Sequence, residues 1–197
     1  MKIVIIGATG TIGNAVCTRL TEHHHVIKAS RSSELIVDLK QPETLHNIFD
    51  QHPDVDAILC TAGRSAFGQL DSLTDEEINL GIDNKLQGQI QLVRIARRKM
   101  KEGGVIVLTT GMLAQNPNPL SSMATMINRG IEGFVEAASL DMPNMQKLHA
   151  VSPPMAKETA EKLGWQGGIP AKEIAKLYEE ALTSTHQGKI FSYHRLS

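Results

Sequence analysis

Strand-length apolar stretches alternate with segments of helical periodicity along nearly the whole chain. The apolar stretches predict β-strands at residues 2–7, 25–30, 34–39, 57–63, 105–110, 147–152 and 189–193. Strands that alternate with helices pair in parallel, because each helix carries the chain back across the sheet. Stretches without polar alternation are typical of strands buried on both faces. The pattern therefore predicts an α/β fold, with about seven mostly parallel strands and helices on both faces of the sheet.

Between the strands, apolar residues recur every three or four positions and predict helices. These helices cover residues 14–22, 44–52, 74–101, 121–142 and 171–183, with a short one inside 153–168. Thr74 and Glu77 have the spacing of a capping box at the start of the third helix, and Pro143 ends the fourth. Too few residues separate strands 25–30 and 34–39 for a full helix, so we expect an irregular connection there.

The chain of 197 residues has the length of a single domain, residues 1–197, and its 20 Lys and Arg residues nearly balance its 21 Asp and Glu residues. Without a basic surface, nucleic acid is not an expected partner. No apolar stretch approaches the roughly 20 residues that span a bilayer, and a first strand at residue 2 leaves no room for a signal peptide. We therefore expect a soluble, cytoplasmic protein.

Two groups of potential metal ligands have the wrong spacing for a metal site. Cys17 and Cys60 match no zinc motif and are expected to be reduced, as in cytoplasmic proteins. His23, His24 and His25 are consecutive, so at a helix end their side chains point in three directions. No metal ion is expected.

The sequence GATGTIG, residues 7–13, lies between the first strand and the first helix. At this position Gly7 lets the strand turn, Gly10 lets the backbone approach a pyrophosphate, and Gly13 lets the helix pack closely on the strand. The helix N-terminus attracts the anion. The loop predicts a dinucleotide site, and a plain tight turn is the alternative. Three further residues of the loop are expected to contact the cofactor: Thr9, Thr11 and Ile12.

The end of the second strand distinguishes NAD from NADP, because an acidic residue there bonds the ribose hydroxyls of NAD. The chain has no acidic residue at this point and instead has Ser30, Arg31 and Ser32. A guanidinium group can bind a 2′-phosphate through two hydrogen bonds, with the serine hydroxyls beside it. NADP is therefore the expected cofactor, and a solvated Arg31 without this role is the alternative.

Further motifs follow in the order in which the short-chain dehydrogenase/reductase family has them, and the resemblance covers nearly the whole chain. GATGTIG resembles the family's glycine motif, and Asp38-Leu39 resembles the pair that brackets the adenine. CTAG at 60–63 resembles the end of the family's fourth strand, and VSPP at 151–154 resembles the segment that meets the nicotinamide. The resemblance implies a doubly wound Rossmann fold. The resemblance, together with the Ser30–Ser32 segment, implies further cofactor contacts outside the glycine loop. The residues expected to make them are Ser30, Arg31, Ser32, Asp38, Leu39, Thr61, Ala62, Gly63, Lys85 and Thr109.

The family's catalytic residues are largely replaced in this chain. The family has an Asn in its fourth helix, a Ser or Thr after its fifth strand, and Tyr-x-x-x-Lys in its fifth helix, where the Tyr protonates the alkoxide left by hydride transfer. Here Lys85 has the position of the Asn, Ala124 that of the Tyr, and Asn128 that of the Lys. Only the hydroxyl is retained, as Thr110 or Thr109. This combination resembles an atypical subgroup of small family members whose activity is undetermined.

Two functions remain open. In the first, the protein is an NADP-dependent oxidoreductase for an unknown small carbonyl or alcohol substrate. Lys85 would then be the proton donor, Thr110 would bind the substrate oxygen, and Asn128 would bind the ribose or a water. In the second, the protein binds NADP(H) as a sensor or regulator without turnover, and Lys85 is a structural ammonium that bonds helix-end carbonyls. A flavin or nucleotide-sugar site on the same fold is a more distant alternative.

The resemblance also implies a homodimer. The two long predicted helices, 74–101 and 121–142, are the usual dimer-forming faces of the family. An exposed Met126 would support such a contact, and a Met126 packed in the core is the alternative.

Overall fold

The computed structural model describes residues 1–193. Its strands are β1 (Lys2–Ile6), β2 (His25–Ser30), β3 (Leu35–Ile36), β4 (Ala57–Cys60), β5 (Val105–Thr109), β6 (Lys147–Ser152) and β7 (Ile190–Ser192). Its α-helices are α1 (Thr11–Leu20), α2 (His46–Gln51), α3 (Asp75–Gly81), α4 (Gly88–Lys99), α5 (Ser122–Ser139), α6 (Lys157–Lys162) and α7 (Ala171–Thr183). A π-helical turn, Ile82–Gln87, joins α3 directly to α4.

The strands form one sheet in the order β3-β2-β1-β4-β5-β6-β7, and every pair in it is parallel. This confirms the predicted doubly wound Rossmann sheet. The chain starts in the middle of the sheet at β1 and continues outward first on one side and then, from β4, on the other. A crevice forms where the direction changes, at the carboxyl ends of β1 and β4, and ligands of such sheets bind there.

The core consists of two apolar layers, one on each face of the sheet. On β1, Ile3 and Ile5 face the layer formed with α1 and α7, whereas Val4 and Ile6 face the layer formed with α2, α4 and α5. All four side chains are at most 1% exposed. Burial on both faces explains why the strand has no polar alternation.

Three boundaries near the crevice differ from the prediction. Helix α1 begins at Thr11, inside the glycine motif, rather than after it. The predicted strand 34–39 is reduced to two paired residues, Leu35 and Ile36. The predicted strand 57–63 ends at Cys60, because the chain turns away from the sheet and reaches a φ of +134° at Gly63.

The long helix predicted between β4 and β5 is present, but it is interrupted by the π-helical turn. A glycine lies immediately before this turn and another immediately after it. A Cβ on Gly81 would lie 2.6 Å from Ile127 Cδ1, and a Cβ on Gly88 would lie 2.6 Å from Leu39 Cβ. The two glycines therefore let neighbouring side chains pack against the helix backbone. A π turn changes the direction in which its side chains point, and Lys85 lies in this one.

Protonation of His149 is expected to destabilise the fold. His149 lies in β6 with no exposed surface, its Nδ1 accepts a hydrogen bond from the Lys189 N–H at 3.3 Å, and its Nε2 has no partner within residues 1–193. Burial, with smaller contributions from Lys147 and Lys189, lowers the pKa of His149 to about 4. An unfolded histidine has a pKa of about 6.5, so between these values the unfolded chain binds more protons. The free energy of unfolding should therefore decrease, by roughly 1 kcal/mol per pH unit, as pH falls from 6.5 toward 4.

Urea unfolding at several pH values would measure this dependence. The native protein is compared with His149→Leu, which has no titrating group at this position. The slope of stability against pH should be smaller in the variant, since carboxylates that titrate in the same range are common to both proteins. Equal slopes would show that His149 does not contribute.

Candidate functional site

A cavity of about 710 Å³ occupies the crevice at the carboxyl ends of β1, β2 and β4. Most of the predicted cofactor residues line it: Gly7, Thr9, Gly10, Ser30, Arg31, Ser32, Asp38, Leu39, Thr61, Ala62 and Gly63. Lys85 and Thr109 do not line it, and Thr11, Ile12 and Gly13 lie in the first turn of α1 beside it. Six further residues line the cavity that were not predicted from the sequence: Ile6, Val37, Lys40, Arg64, Leu80 and Asn84. Arg64 directly follows the CTAG motif, and that adjacency is the signal that could have identified it.

The glycine loop is packed so closely that side chains are excluded. Gly7 has a φ of +85°, and a Cβ there would lie 2.8 Å from the backbone N of Ala62. A Cβ on Gly13 would lie 2.1 Å from the carbonyl oxygen of Gly7. The hydroxyl of Thr61 donates a hydrogen bond to the Ile6 carbonyl at 2.9 Å and so ties the end of β4 to β1. The loop is held as a rigid surface of backbone atoms at the cavity.

The N-terminus of α1 is free to receive an anion. Gly10 is its N-cap residue, no side chain among residues 1–193 caps the helix, and its first turn contains no acidic residue. In any α-helix the first backbone N–H groups lack an acceptor within the helix. Here these groups belong to Thr11, Ile12 and Gly13. The loop and helix together fit the diphosphate of a dinucleotide, which needs close backbone approach and unpaired N–H donors.

The side chains after β2 form the cationic end of the cavity. The Ser30 hydroxyl makes hydrogen bonds with the Ser33 hydroxyl at 2.7 Å and with the Ser32 N–H at 3.1 Å, which closes the turn. Arg31 is exposed, and its guanidinium has no hydrogen bond or ion pair with any residue of 1–193. Asp38 is partly exposed and accepts a hydrogen bond from the Lys40 N–H at 3.0 Å. The arginine is therefore available to a phosphate group.

Lys85, Thr110 and Asn128, the three predicted catalytic residues, lie together beneath the cavity. Lys85 is 8% exposed, and its Nζ donates to the Thr110 carbonyl at 2.8 Å and to Asn128 Oδ1 at 2.7 Å. Its aliphatic chain packs so closely on Gly63 that a Cβ there would lie 2.7 Å from Lys85 Cγ. Burial lowers the pKa of Lys85 to about 8, against the opposing influence of Cys60 and Glu132.

The two candidate hydroxyls, of Thr109 and Thr110, lie on opposite sides of the sheet, and both already form hydrogen bonds within the protein. The Thr109 hydroxyl is within 2.6 Å of the Cys60 carbonyl and within 2.6 Å of the Tyr178 hydroxyl. The Thr110 hydroxyl donates to Glu132 Oε1 at 2.8 Å. Successive strand residues point to opposite faces, so only one of the two can face α5. That residue is Thr110.

Tyr178 and Cys60 are unsuited to proton transfer. Both are completely buried, and burial raises the pKa of the Tyr178 phenol well above its usual value and that of the Cys60 thiol to about 12. Both groups therefore stay neutral near neutral pH. Tyr178 packs in the layer between the sheet and α1 and α7 and does not line the cavity.

Glu132 is a buried acid of the site that was not predicted from the sequence. It is 8% exposed, and besides the Thr110 hydroxyl its carboxylate accepts a hydrogen bond from Gln115 Nε2 at 2.6 Å. It lies one helical turn after Asn128 on α5, so both side chains project from the same face of the helix. The spacing of four residues from a predicted site residue is the signal that could have identified it.

Two further structural findings concern metals and membranes. Within residues 1–193, no cluster of three or more His, Cys, Asp or Glu side chains is arranged to hold a metal ion. None of the helices in the described part of the chain combines the length and the apolar character needed to cross a membrane.

Known proteins share both sequence and fold with this chain. The family model for the NAD dependent epimerase/dehydratase family matches residues 3–128. The protein lin1944 from Listeria innocua is 32% identical and superimposes with a TM-score of 0.93, over 98% of this chain and 100% of lin1944. A small-chain dehydrogenase solved in complex with NADPH has a TM-score of 0.88 at 23% identity, over 98% and 96% of the two chains. The 3-oxoacyl-(acyl-carrier-protein) reductase FabG of Rickettsia felis is 24% identical in an alignment 173 residues long, which covers 78% of this chain and 72% of FabG. The chain therefore belongs to the NAD dependent epimerase/dehydratase family and is a short-chain dehydrogenase/reductase protein.

Proposed function

We propose that this protein is an NADP-dependent oxidoreductase that acts on a small carbonyl or alcohol substrate, with Lys85 as the proton donor. The observation that carries the proposal is the buried ammonium group of Lys85, whose stem packs against Gly63 at the cavity. A lysine with a lowered pKa can both give and take a proton near neutral pH, as a general acid requires. Lys85 thus supplies the proton that the family's tyrosine supplies, because Ala124, at the position of that tyrosine, has no group that can donate one.

In this proposal, some residues bind the cofactor and others supply the proton. NADPH, when bound, supplies a hydride to the carbonyl carbon. The glycine loop and the N-terminus of α1 bind the diphosphate, and Arg31 binds the 2′-phosphate. The proton for the substrate oxygen comes from Lys85, whose ammonium is oriented by Asn128 and the Thr110 carbonyl. Asn128 is also the candidate to hold the ribose or a water.

Thr110 has a smaller part in this proposal than in the sequence analysis. Its side chain is 3% exposed, and its hydroxyl could donate to a substrate oxygen only by giving up the bond to Glu132. Its carbonyl, in contrast, already accepts the Lys85 ammonium. We therefore propose that Thr110 acts mainly by orienting Lys85.

A sensor that binds NADP(H) without turnover is the second candidate. The observation that favours it is that Lys85 has two good acceptors within the protein and does not line the cavity. A structural ammonium would have the same surroundings. A panel of aldehydes, ketones and quinones would separate the two functions, because the sensor binds NADPH tightly and oxidises it with none of them.

Arg31→Ala is expected to weaken NADPH binding about tenfold or more while leaving NADH binding nearly unchanged. The removed guanidinium would make charge-assisted hydrogen bonds to a phosphate group that NADH lacks. A thermal shift titration with NAD, NADH, NADP and NADPH measures both effects, because a ligand that binds only the folded protein raises its stability.

Arg98→Ala is the matched control, since Arg98 is an exposed arginine on α4 outside the cavity. It should leave all four nucleotides unaffected. If the native protein bound NADH more tightly than NADPH, and Arg31→Ala changed neither affinity, the preference for NADP would be wrong.

We also propose the homodimer, the single domain and the cytoplasmic location expected from the sequence. For the dimer, the support is that Met126 on α5 is 47% exposed and so does not pack in the core. Its side chain is available to a second copy of the chain.

For the location, the support is that Cys17 and Cys60 are free thiols, both buried.

A further inference from the structure

Glu132 is a carboxylate in a position where an apolar side chain would be expected. It is buried on α5, directly after the buried Ile131 and three residues before the buried Val135. Its two hydrogen-bond donors, the Thr110 hydroxyl and the Gln115 amide, are both neutral, and within residues 1–193 no cation forms an ion pair with it. A buried charge without a cationic partner is costly to the fold. The cost suggests that the carboxylate serves the site.

The hydrogen bonds of Glu132 converge on the same short segment as those of Lys85. Asn128 and Glu132 reach this segment from successive turns of α5. Asn128 holds the Lys85 ammonium and also donates to the Gly111 carbonyl at 3.4 Å. Glu132 accepts one hydrogen bond from the Thr110 hydroxyl and another from the Gln115 amide. Because Gln115 lies after β5, the second bond connects the loop after β5 to α5.

We propose that Glu132 is a positioning residue for Lys85. Through the Thr110 hydroxyl and the Gln115 amide, its carboxylate fixes the start of the loop after β5, so that the Thr110 carbonyl receives the ammonium. Its negative charge also favours the protonated form of the lysine. That this positioning serves proton transfer rests on the proposed function, whereas the contacts themselves need no cofactor.

Two titratable groups influence the Lys85 ammonium in the described structure, Cys60 from β4 and Glu132 from α5. The Cys60 thiol is neutral near pH 7, because burial raises its pKa to about 12. Of the two groups, Glu132 is the one whose charge we expect to raise the pKa of Lys85. Removing its charge should make the ammonium easier to deprotonate.

The experiment is an NMR titration of Lys85 in lysine-labelled protein without nucleotide, with Lys85→Met used to identify the signal. The native midpoint is expected near 8. Glu132→Gln keeps the size of the side chain but removes its charge, and it should lower the midpoint by roughly one pH unit. The matched control is Glu136→Gln, an exposed carboxylate one turn further along α5, which should leave the midpoint unchanged.

An unchanged midpoint in Glu132→Gln would overturn the proposal. If that variant does not fold, as judged by circular dichroism, Thr110→Val provides the second test. It keeps the charge but removes the hydroxyl link, so the midpoint should again fall, and an unchanged value would show that Glu132 does not position Lys85. NADPH binding is measured separately by thermal shift. Failure of the native protein to bind NADPH would defeat the proposed function and leave the titration result standing.

Discussion

Gly13→Ala is expected to abolish NADP(H) binding and to lower the free energy of unfolding by about 3 kcal/mol. The added methyl group would lie 2.1 Å from the Gly7 carbonyl oxygen and 2.7 Å from the Thr61 hydroxyl. The first of these is a backbone atom of the diphosphate loop, so the clash can be relieved only by moving the loop or tilting α1. Either movement displaces the N–H groups that would bind the anion. Denaturant unfolding and a thermal shift titration with NADPH measure the two effects.

Gly133→Ala is the matched control for this substitution. Gly133 also lies in a helix, α5, but apart from the neighbouring helix backbone no atom of the described residues comes within 4 Å of a Cβ built there. Alanine at an open helical position should stabilise the protein by roughly 0.5–1 kcal/mol, because it has the better helix propensity. A Gly13→Ala protein with native stability and native NADPH affinity would contradict the structural basis of the diphosphate site.

The existence of the seven strands and the start of α3 could be predicted because their determinants are local. The capping box of Thr74 and Glu77 is present, with Glu77 N–H donating to the Thr74 hydroxyl at 3.3 Å and Thr74 N–H donating to Glu77 Oε2 at 2.9 Å. The π-helical turn could not be predicted in the same way. Its flanking glycines are explained by Ile127 and Leu39, which are distant in sequence, and an apolar repeat does not reveal one widened turn.

The same distinction between local and distant determinants applies to the candidate site. The glycine loop and the segment around Arg31 are each continuous in sequence, so their place at one cavity follows from the strand order. The buried network depends on which side of β5 a residue faces and on how α5 packs against it. The alternation of side chains along a strand separates Thr109 from Thr110, but it does not reveal that Glu132 would take the hydroxyl of Thr110.

Lys85→Met is expected to reduce NADPH-dependent carbonyl reduction by roughly 100-fold or more and to leave NADPH binding intact. A positioned general acid contributes about this much to a proton-transfer step, and methionine fills the space of the aliphatic chain without supplying a proton. In the native protein the pKa of Lys85 is about 8, so reduction should slow as pH rises through that value and the ammonium group is lost. Steady-state kinetics between pH 6 and 9.5, by NADPH absorbance, measure both effects.

Lys99→Met is the control, because Lys99 is an exposed lysine on α4. Its rate and pH profile should match those of the native protein. Unchanged turnover in Lys85→Met would remove the assignment of the proton donor while leaving the cofactor site in place. A native protein that binds NADPH but reduces no carbonyl would instead favour the sensor. In that case Lys85→Met should change only the free energy of unfolding. This free energy should stay the same or rise if burying the ammonium costs more than its two hydrogen bonds contribute.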